Sequence, residues 1–379
     1  MKNRQYVRFL YIGVAILTFS PFLYYGFISS DWDSYASIAS GNILILENIY
    51  IPSRPPGFPI YEIILAPLSL INTRIALIIH FIFGVFLFLL VESNINKSNE
   101  KALLLFLFFT SSIYFISSFT IIDYVIGCFF GYVGLNSIKQ DKLYFGSIML
   151  IISSGIRLSN IIFLLASVAF LIFKKEYKKG YLIFILSAAV IALIYVPSYL
   201  IADGFCFLNL TNTDHGLIGR LGRYFYKQLQ IFGLVGSLLF LFALFKGKGW
   251  KSLLIEENIP YLIIFFTFQF SFLRLPTEQG HLLPAFVAFI YLIRQLEINK
   301  YLLVLALFFS IFSNFYTIEI LKPDIPNHAT SADFGLFVEK GYLLKNLDER
   351  MEKGQNYREN INQSKLNIKL DWNNGGPNC

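Results

Sequence analysis

Residues 143–173, LYFGSIMLIISSGIRLSNIIFLLASVAFLIF, form one long apolar stretch that carries a single charge, Arg157. Lysines stand on both sides of this stretch, at positions 139 and 142 before it and at positions 174, 175, 178 and 179 after it. The positive-inside rule therefore puts both of its ends on the cytoplasmic side. Two full spans do not fit at a rise of about 1.5 Å per residue. We predict two short helices that meet near residues 153–160, with Arg157 at a turn deep in the membrane or near its outer side.

The composition of the whole chain is that of a membrane protein. Of its 379 residues, 56% are hydrophobic and only 15% are charged, whereas a soluble domain carries about a quarter of charged residues. Apolar runs of roughly 20 residues recur without the alternation of a strand, so helices satisfy the backbone in lipid. The sequence predicts an all-α polytopic membrane protein with about eleven transmembrane or membrane-embedded helices. The net charge of +7 belongs to short loops and indicates topology, not nucleic-acid binding.

The charges near the N-terminus set the predicted orientation. Lys2, Arg4 and Arg8 precede the first apolar run, residues 9–28, which we interpret as a retained span and not as a signal peptide. The N-terminus is then cytoplasmic, and residues 29–62 form a first extracytoplasmic loop. Residues 1–321 make a transmembrane module, and residues 322–379 a short extracytoplasmic tail. We expect a multi-pass protein of the cell membrane (the inner or plasma membrane) with its active site on the extracytoplasmic face.

Several predicted elements can be checked against a structure. Within the first loop, residues 35–50 are expected to form a surface helix and residues 60–71 a second short helix. The third and fourth spans are predicted over residues 102–117 and 123–138, and the last over residues 301–320. No broken apolar segment is predicted besides the one near Arg157. The tail is expected to be weakly helical over residues 334–352.

Asp31 and Asp33 open the first loop at the outer end of the first span. A carboxylate in this position can act as a general base toward an attacking hydroxyl, or as a metal ligand. A solvated turn or a helix N-cap explains the same pair without chemistry, and the spacing alone favours that explanation. Together with Asp123, the two carboxylates are a possible site for a divalent cation such as Mg²⁺ or Mn²⁺.

The loop ends in Arg54 followed by Pro55, Pro56 and Gly57. The prolines stiffen the chain and hold one guanidinium at a defined place beside the membrane surface. Arginine suits bidentate binding of phosphate. A cation that snorkels at an interface is the alternative explanation.

Further polar candidates lie inside or between apolar segments. Asp123 begins the fourth span, where it serves either as an N-cap or as a functional acid. Arg157 is a functional candidate by default because a charge within an apolar segment is costly, and its structural alternative is an ion pair with a buried acid such as Asp123. Arg274, Glu278 and His281 cluster in a late outer loop.

Other classes of site are not indicated. The three cysteines show no metal-binding spacing, and a disulfide between Cys206 and Cys379 stays open. The sequence contains no P-loop, no Rossmann fingerprint and no nucleophile elbow, so nothing indicates the use of a soluble nucleotide.

A pattern along the chain resembles the membrane glycosyltransferases of the GT-C superfamily, of the family 39-like type that includes protein O-mannosyltransferases and aminoarabinose transferases. The residues that carry the resemblance are Asp31, Tyr35, Ala39, Gly41, the segment Ser53-Arg54-Pro55-Pro56-Gly57-Phe58-Pro59, Asp123, Arg157 and the late segment His281 to Pro284. As architecture it covers roughly the first 300 residues, but only the first 60 match as a motif. Two features depart from the pattern: Gly280 and His281 stand where many relatives have Arg-Tyr, and the tail is short.

The resemblance implies a GT-C-type fold and the transfer of a sugar from a polyprenyl-phosphate-linked donor to an acceptor hydroxyl of a lipid, glycan or protein. It implies that Asp31, or else Asp33, is the base or orients the acceptor. It implies that Arg54 contacts the donor phosphate, with Arg157 and Arg274 as further cations. Supporting roles fall to Tyr35, Asp123, Glu278 and His281.

Two other classes remain as alternatives. A polytopic secondary transporter often has paired broken helices in corresponding halves of the chain. A lipid-linked polysaccharide polymerase or ligase is expected to carry its large outer loop late in the chain, whereas here the large loop follows the first span.

Overall fold

The computed structural model describes residues 2–25, 32–53, 56–95, 100–201, 217–274, 276, 279–294, 296–323, 332–345 and 347. The chain divides into two compact units whose segments alternate along the sequence. Unit 1 comprises Met1–Ile16, Phe88–Ile116 and Thr213–Asp348, and unit 2 comprises Leu17–Leu87, Ser117–Asn212 and Glu349–Cys379.

The described residues are mostly helical. The first eight helices are α1 (Lys2–Tyr25), α2 (Trp32–Glu47), α3 (Pro59–Ile71), α4 (Thr73–Asn94), α5 (Lys101–Thr110), α6 (Ser112–Ser118), α7 (Tyr124–Lys139) and α8 (Leu143–Ile156). The next eight are α9 (Ile161–Phe173), α10 (Tyr177–Ile201), α11 (Leu217–Leu229), α12 (Leu234–Phe245), α13 (Ile259–Arg274), α14 (Leu283–Ile293), α15 (Lys300–Ser313) and α16 (Tyr342–Lys345). Two strands, β1 (Tyr316–Pro323) and β2 (Ala332–Lys340), form a hairpin, and 3-10 turns lie at Leu158–Asn160, Trp250–Leu254, Glu256–Asn258 and Gln279–Leu282.

Membrane-spanning helices are fewer than the sequence predicted. Among the described residues, three helical segments are long and apolar enough to cross a bilayer: Arg8–Tyr25, Thr73–Asn94 and Tyr177–Leu200. The number rises to five if each of two bent helix pairs counts as one span. About eleven spans are not supported, because other apolar segments form helices of 10–17 residues. Such helices are shorter than the roughly 30 Å hydrocarbon core of a bilayer.

The prediction of two short helices over residues 143–173 is confirmed. Arg157 adopts an extended conformation, with φ −152° and ψ 119°, between α8 and the 3-10 turn that leads into α9. Glycines let α7 pack closely on α8: a Cβ added to Gly146 would lie 3.0 Å from the carbonyl oxygen of Gly134. The two helices predicted over residues 35–50 and 60–71 are confirmed as α2 and α3. The surface position predicted for the first of them was wrong, because residues 36–43 of α2 are buried.

The prediction that only the segment near Arg157 is broken was wrong. In unit 1 the third predicted span is divided into α5 and α6, which are bent by 61°, and α11 and α12 are bent by 83°. The two breaks hydrogen-bond to each other. The backbone N–H of Ser112 donates to the carbonyl oxygen of Ile231 at 2.9 Å, and its hydroxyl donates to that of Gln230 at 3.0 Å. Backbone groups that the breaks would otherwise expose are thereby satisfied.

The end of the chain also differs from its prediction. The last long helix ends at Ser313 and not near residue 320, and a hairpin follows it. Residues 334–340, predicted to be weakly helical, belong to strand β2, which pairs antiparallel with β1. The period-two pattern explains the strand, because Ile318 and Val338 are exposed on one face while Glu319 is buried on the other.

Candidate functional site

An ion pair between Asp123 and Arg157 forms the centre of the candidate site in unit 2. Asp123 directly precedes α7, and its side chain makes no capping hydrogen bond to that helix. The Nη1 atom of Arg157 donates to the Oδ2 atom of Asp123 at 2.7 Å. Only 8% of Arg157 and 2% of Asp123 are exposed. The structure therefore shows no side-chain cap at Asp123, and it shows the ion pair that the sequence left open as the structural explanation of Arg157. The role of Asp123 as a functional acid stays a prediction.

Two aromatic rings enclose the guanidinium of Arg157. Its central carbon lies 4.6 Å from the ring centroid of Tyr124 and 5.6 Å from that of Phe58. Ring faces at these distances attract a cation, and the attraction is stronger where water is excluded. Phe58 belongs to the Ser53–Pro59 segment. The pair thus joins three separate parts of the sequence pattern. These are residues 53–59, called the proline-rich loop from here on, the start of α7 and the break between α8 and α9.

Sequence reasoning missed Glu62, which fastens the proline-rich loop. Glu62 lies fully buried in α3. Its Oε1 atom accepts hydrogen bonds from the backbone N–H of Ser53, at 2.9 Å, and from the Ser53 hydroxyl, while Oε2 accepts from the hydroxyl of Tyr50. Burial raises the pKa of Glu62, and the bonds from Ser53 and Tyr50 oppose this rise. The signal available in the sequence was a lone carboxylate within an apolar helix.

Gly57 closes the other end of the same loop. Its φ of +83° lies in the left-handed region, and an added Cβ would stand 2.7 Å from Cβ of Pro52 and 2.8 Å from the hydroxyl oxygen of Tyr50. A residue with a side chain does not fit there. Arg54 and Pro55 lie outside the described residues, but the chain is fixed on both sides of them. The predicted contact of Arg54 with a donor phosphate stays a prediction.

The predicted acids of the first loop are only partly described. Asp33 and Tyr35 lie in the first turns of α2 and are half-buried, whereas Asp31 lies outside the described residues. Helix α2 packs on α3, and a Cβ on Gly41 would stand 2.9 Å from the carbonyl oxygen of Glu62. Gly41 therefore allows the close approach of α2 to the helix that holds the loop. The choice between Asp31 and Asp33 as base stays a prediction.

The late-loop candidates belong to unit 1. Arg274 is the last residue of α13 and is exposed, His281 lies half-buried in the 3-10 turn Gln279–Leu282, and Glu278 lies outside the described residues. Sequence reasoning missed Gln279, which is buried in that turn. Its side chain accepts a hydrogen bond from the hydroxyl of Ser112 at 2.9 Å and donates to the carbonyl oxygen of Lys227 at 3.0 Å.

The described residues offer no metal centre. Within the part of the chain that the structure describes, no three His, Cys, Asp or Glu side chains lie together so as to hold an ion. The predicted cation site of Asp31, Asp33 and Asp123 includes a residue outside that part and stays a prediction, although Arg157 already engages Asp123. Cys128 is a buried free thiol, and the pairing of Cys206 with Cys379 also falls outside the described residues.

Comparison of the chain with protein-family profiles, with curated proteins and with solved structures finds no match.

Proposed function

We propose that this protein is an integral-membrane glycosyltransferase that moves a sugar from a polyprenyl-phosphate-linked donor to an acceptor hydroxyl on the extracytoplasmic face. The observation that carries the proposal is the buried pair of Arg157 and Asp123 beside Phe58. It joins the three separate stretches that the resemblance to GT-C enzymes singles out. Buried charges in apolar segments are costly and usually serve a function.

The chemistry of the donor fits a protein of this composition. A polyprenyl chain is too apolar to leave the bilayer, so an enzyme that uses it has to be a membrane protein. The donor carries its activation in the bond between the sugar and the phosphate, so no nucleotide site is needed. In the transfer, the bond between C1 of the sugar and the phosphate oxygen breaks, and the phosphate keeps the electron pair. The acceptor oxygen forms the new bond to C1, and its proton passes to a carboxylate.

The residues divide these tasks in the proposal. Asp31 or Asp33 takes the proton from the acceptor hydroxyl as general base. Arg54 stabilises the charge that develops on the leaving phosphate. Arg157 contributes a second positive charge, held in place by Asp123 and by the rings of Tyr124 and Phe58. Glu62 holds Ser53, directly before Arg54, and the left-handed backbone of Gly57 fixes the chain shortly after it.

A transfer assay in membranes tests the proposal. Labelled sugar is offered as a set of polyprenyl-phosphate sugars, and its covalent incorporation into membrane acceptors is compared among wild type, Asp31→Asn, Asp33→Asn and Arg54→Ala at equal expression. We expect incorporation to be lost in Arg54→Ala and in one of the aspartate variants. Arg74→Ala is the matched control, since Arg74 is an exposed arginine of unit 2 that donates to the carbonyl oxygen of Tyr24. Equal incorporation by all variants would refute the site.

A secondary transporter is the second candidate, and the helix breaks in unit 1 favour it. Transporters bind their substrates where discontinuous helices meet, and the breaks at Ser111 and between α11 and α12 hydrogen-bond to each other. Purified protein in sealed vesicles separates the two functions. A transporter accumulates the labelled solute unchanged, whereas the proposed enzyme attaches the sugar covalently to an acceptor.

A further inference from the structure

Helix α11 differs from the apolar helices around it. Its sequence, LIGRLGRYFYKQL, contains Arg220, Arg223 and Lys227 and no acidic residue. The spacing of three and four residues puts these cations on one face. Leu221, Phe225 and Leu229 follow one another at intervals of four on the opposite side, and Phe225 is 60% exposed. The helix is therefore strongly amphipathic, with a positive face and an apolar face.

The bend between α11 and α12 sets the direction of α11. The two helices meet at 83°, and α12 is apolar, with exposed Leu238, Leu241 and Phe242 on its surface. If α12 runs along the bilayer normal, α11 runs nearly parallel to the bilayer plane. A helix with three cations is costly to place in the hydrocarbon core but is stable in the interface, where its apolar face enters the acyl region.

The bend is a built feature of the fold. Gly233 has a φ of +71°, and a Cβ on it would lie 2.5 Å from Cβ of Ser313. The carbonyl oxygens freed at the end of α11 are satisfied from two sides. The hydroxyl of Ser237 donates to that of Leu229 at 2.8 Å, and Ser112 donates to those of Gln230 and Ile231. The angle is thus fixed by residues of unit 1 and holds the positive face of α11 in one orientation.

From these features we infer that α11 is an interfacial helix that binds anionic phospholipid headgroups of the surrounding bilayer through Arg220, Arg223 and Lys227, with Phe225 inserted among the upper acyl chains. Positive charge on the helix complements the phosphate and the negative headgroup of a lipid such as phosphatidylglycerol. This inference does not depend on whether the protein transfers a sugar.

Quenching of a probe by brominated lipids tests the inference locally. The full-length protein, with Cys128, Cys206 and Cys379 replaced by serine, carries bimane on Phe225→Cys in lipid vesicles. We expect stronger quenching by lipids brominated at the upper acyl carbons than by lipids brominated at the chain ends. We also expect brominated phosphatidylglycerol to be preferred over brominated phosphatidylcholine, by roughly fivefold for each cation that contributes.

Charge variants show whether the preference belongs to α11. Arg220→Gln/Arg223→Gln/Lys227→Gln should bring the headgroup preference at the probe close to one. Lys174→Gln/Lys175→Gln/Lys178→Gln, which removes the same charge from an exposed segment elsewhere in the chain, should leave it unchanged. An equal response to both lipids in the protein with its native charges, an equal loss in both charge variants, or no quenching would overturn the inference. Preferential quenching by lipids brominated at the chain ends would place α11 deep in the bilayer, overturn the inference and favour the transporter.

Discussion

Arg157 donates to Asp123 over 2.7 Å, although the two residues stand 34 positions apart in the sequence. Their helices meet because the apolar stretch that contains Arg157 is broken at that residue and α8 packs on the glycines of α7. The charge that breaks the apolar run is therefore the same charge that neutralises the acid at the start of α7. Local structure, tertiary contact and the candidate site depend here on one residue.

Removing one partner of the buried ion pair should cost far more stability than removing one partner of an ion pair at the surface. Asp123→Asn or Arg157→Gln leaves a buried charge without its partner, so each should lower the free energy of unfolding by about 3–5 kcal/mol. The double variant should lose less than the sum of the two, with a coupling of about 0.5–3 kcal/mol. Denaturation in mixed micelles measures the free energy of unfolding of the two single variants and of the double variant.

The exposed ion pair between Asp141 and Lys179 is the control for the single and double variants of Asp123 and Arg157. This control pair spans 3.3 Å and both of its side chains are exposed, so Asp141→Asn should change the free energy of unfolding little. If Asp123→Asn cost no more than Asp141→Asn, the variant would not leave an uncompensated buried charge, which would contradict the buried ion pair.

Glu62 should control the order of the proline-rich loop. In Glu62→Gln, an amide N–H₂ group replaces one acceptor oxygen and faces the donors Ser53 and Tyr50. A buried donor left unsatisfied costs about 1–3 kcal/mol. If Arg54 acts on the donor phosphate, transfer should fall as well. Stability in micelles and the transfer assay measure the two effects.

The exposed Glu256 offers a matched substitution, because it precedes α13 outside any described ion pair. Glu256→Gln should change neither stability nor transfer by a measurable amount. Equal stability of the two variants would show that Glu62 does not fasten the loop.

Gly57→Ala should strain the loop from its other end. The left-handed backbone costs an alanine about 1–2 kcal/mol, and the new methyl group would meet Pro52 and Tyr50. Gly13→Ala is the opposite case, since an added Cβ there has no atom within 4 Å and lies within α1. Gly13→Ala should be neutral or stabilise by up to about 1 kcal/mol. Thermal unfolding measures the stability of both variants. An equal change in melting temperature would contradict the left-handed, crowded position of Gly57.

The sequence predicted those features whose cause is local. Lysines on both sides of residues 143–173 implied the break at Arg157, and the prolines and Gly57 implied a fixed turn. The break at Ser111 had no such signal, because no glycine or proline marks it. It depends on the backbone of Ile231, which is 119 positions from Ser112 (231 − 112). The partners of Glu62 were likewise set by tertiary packing and not by spacing.

The C-terminal hairpin is the opposite case, because its signal was present in the sequence and was not recognised. Alternation of Ile318 and Glu319 is a strand signal, but the apolar helix before it masked the change of period. Glu319 is buried on the inner face, where the side chain of Gln230 donates to it at 3.3 Å. The hairpin is thus fixed to the end of α11 through a polar contact that hydropathy does not reveal.

Glu319 should give the stability of this protein a defined dependence on pH. Burial raises the pKa of Glu319 above its ordinary value of 4.5, and hydrogen bonds from Gln230, Tyr226 and Thr317 oppose the rise without cancelling it. The folded state then holds the proton more tightly than the unfolded state. The free energy of unfolding contributed by Glu319 should therefore fall as the pH rises above about 4.5, and level off once the pH exceeds the folded-state pKa.

Glu319→Gln removes this contribution while other buried acids such as Glu62 keep theirs. The difference in melting temperature between wild type and Glu319→Gln should accordingly shift in favour of the variant as the pH rises from about 4.5 through the folded-state pKa. A difference that stayed constant with pH, or moved in favour of wild type, would contradict the burial of an ionisable carboxyl group at this position.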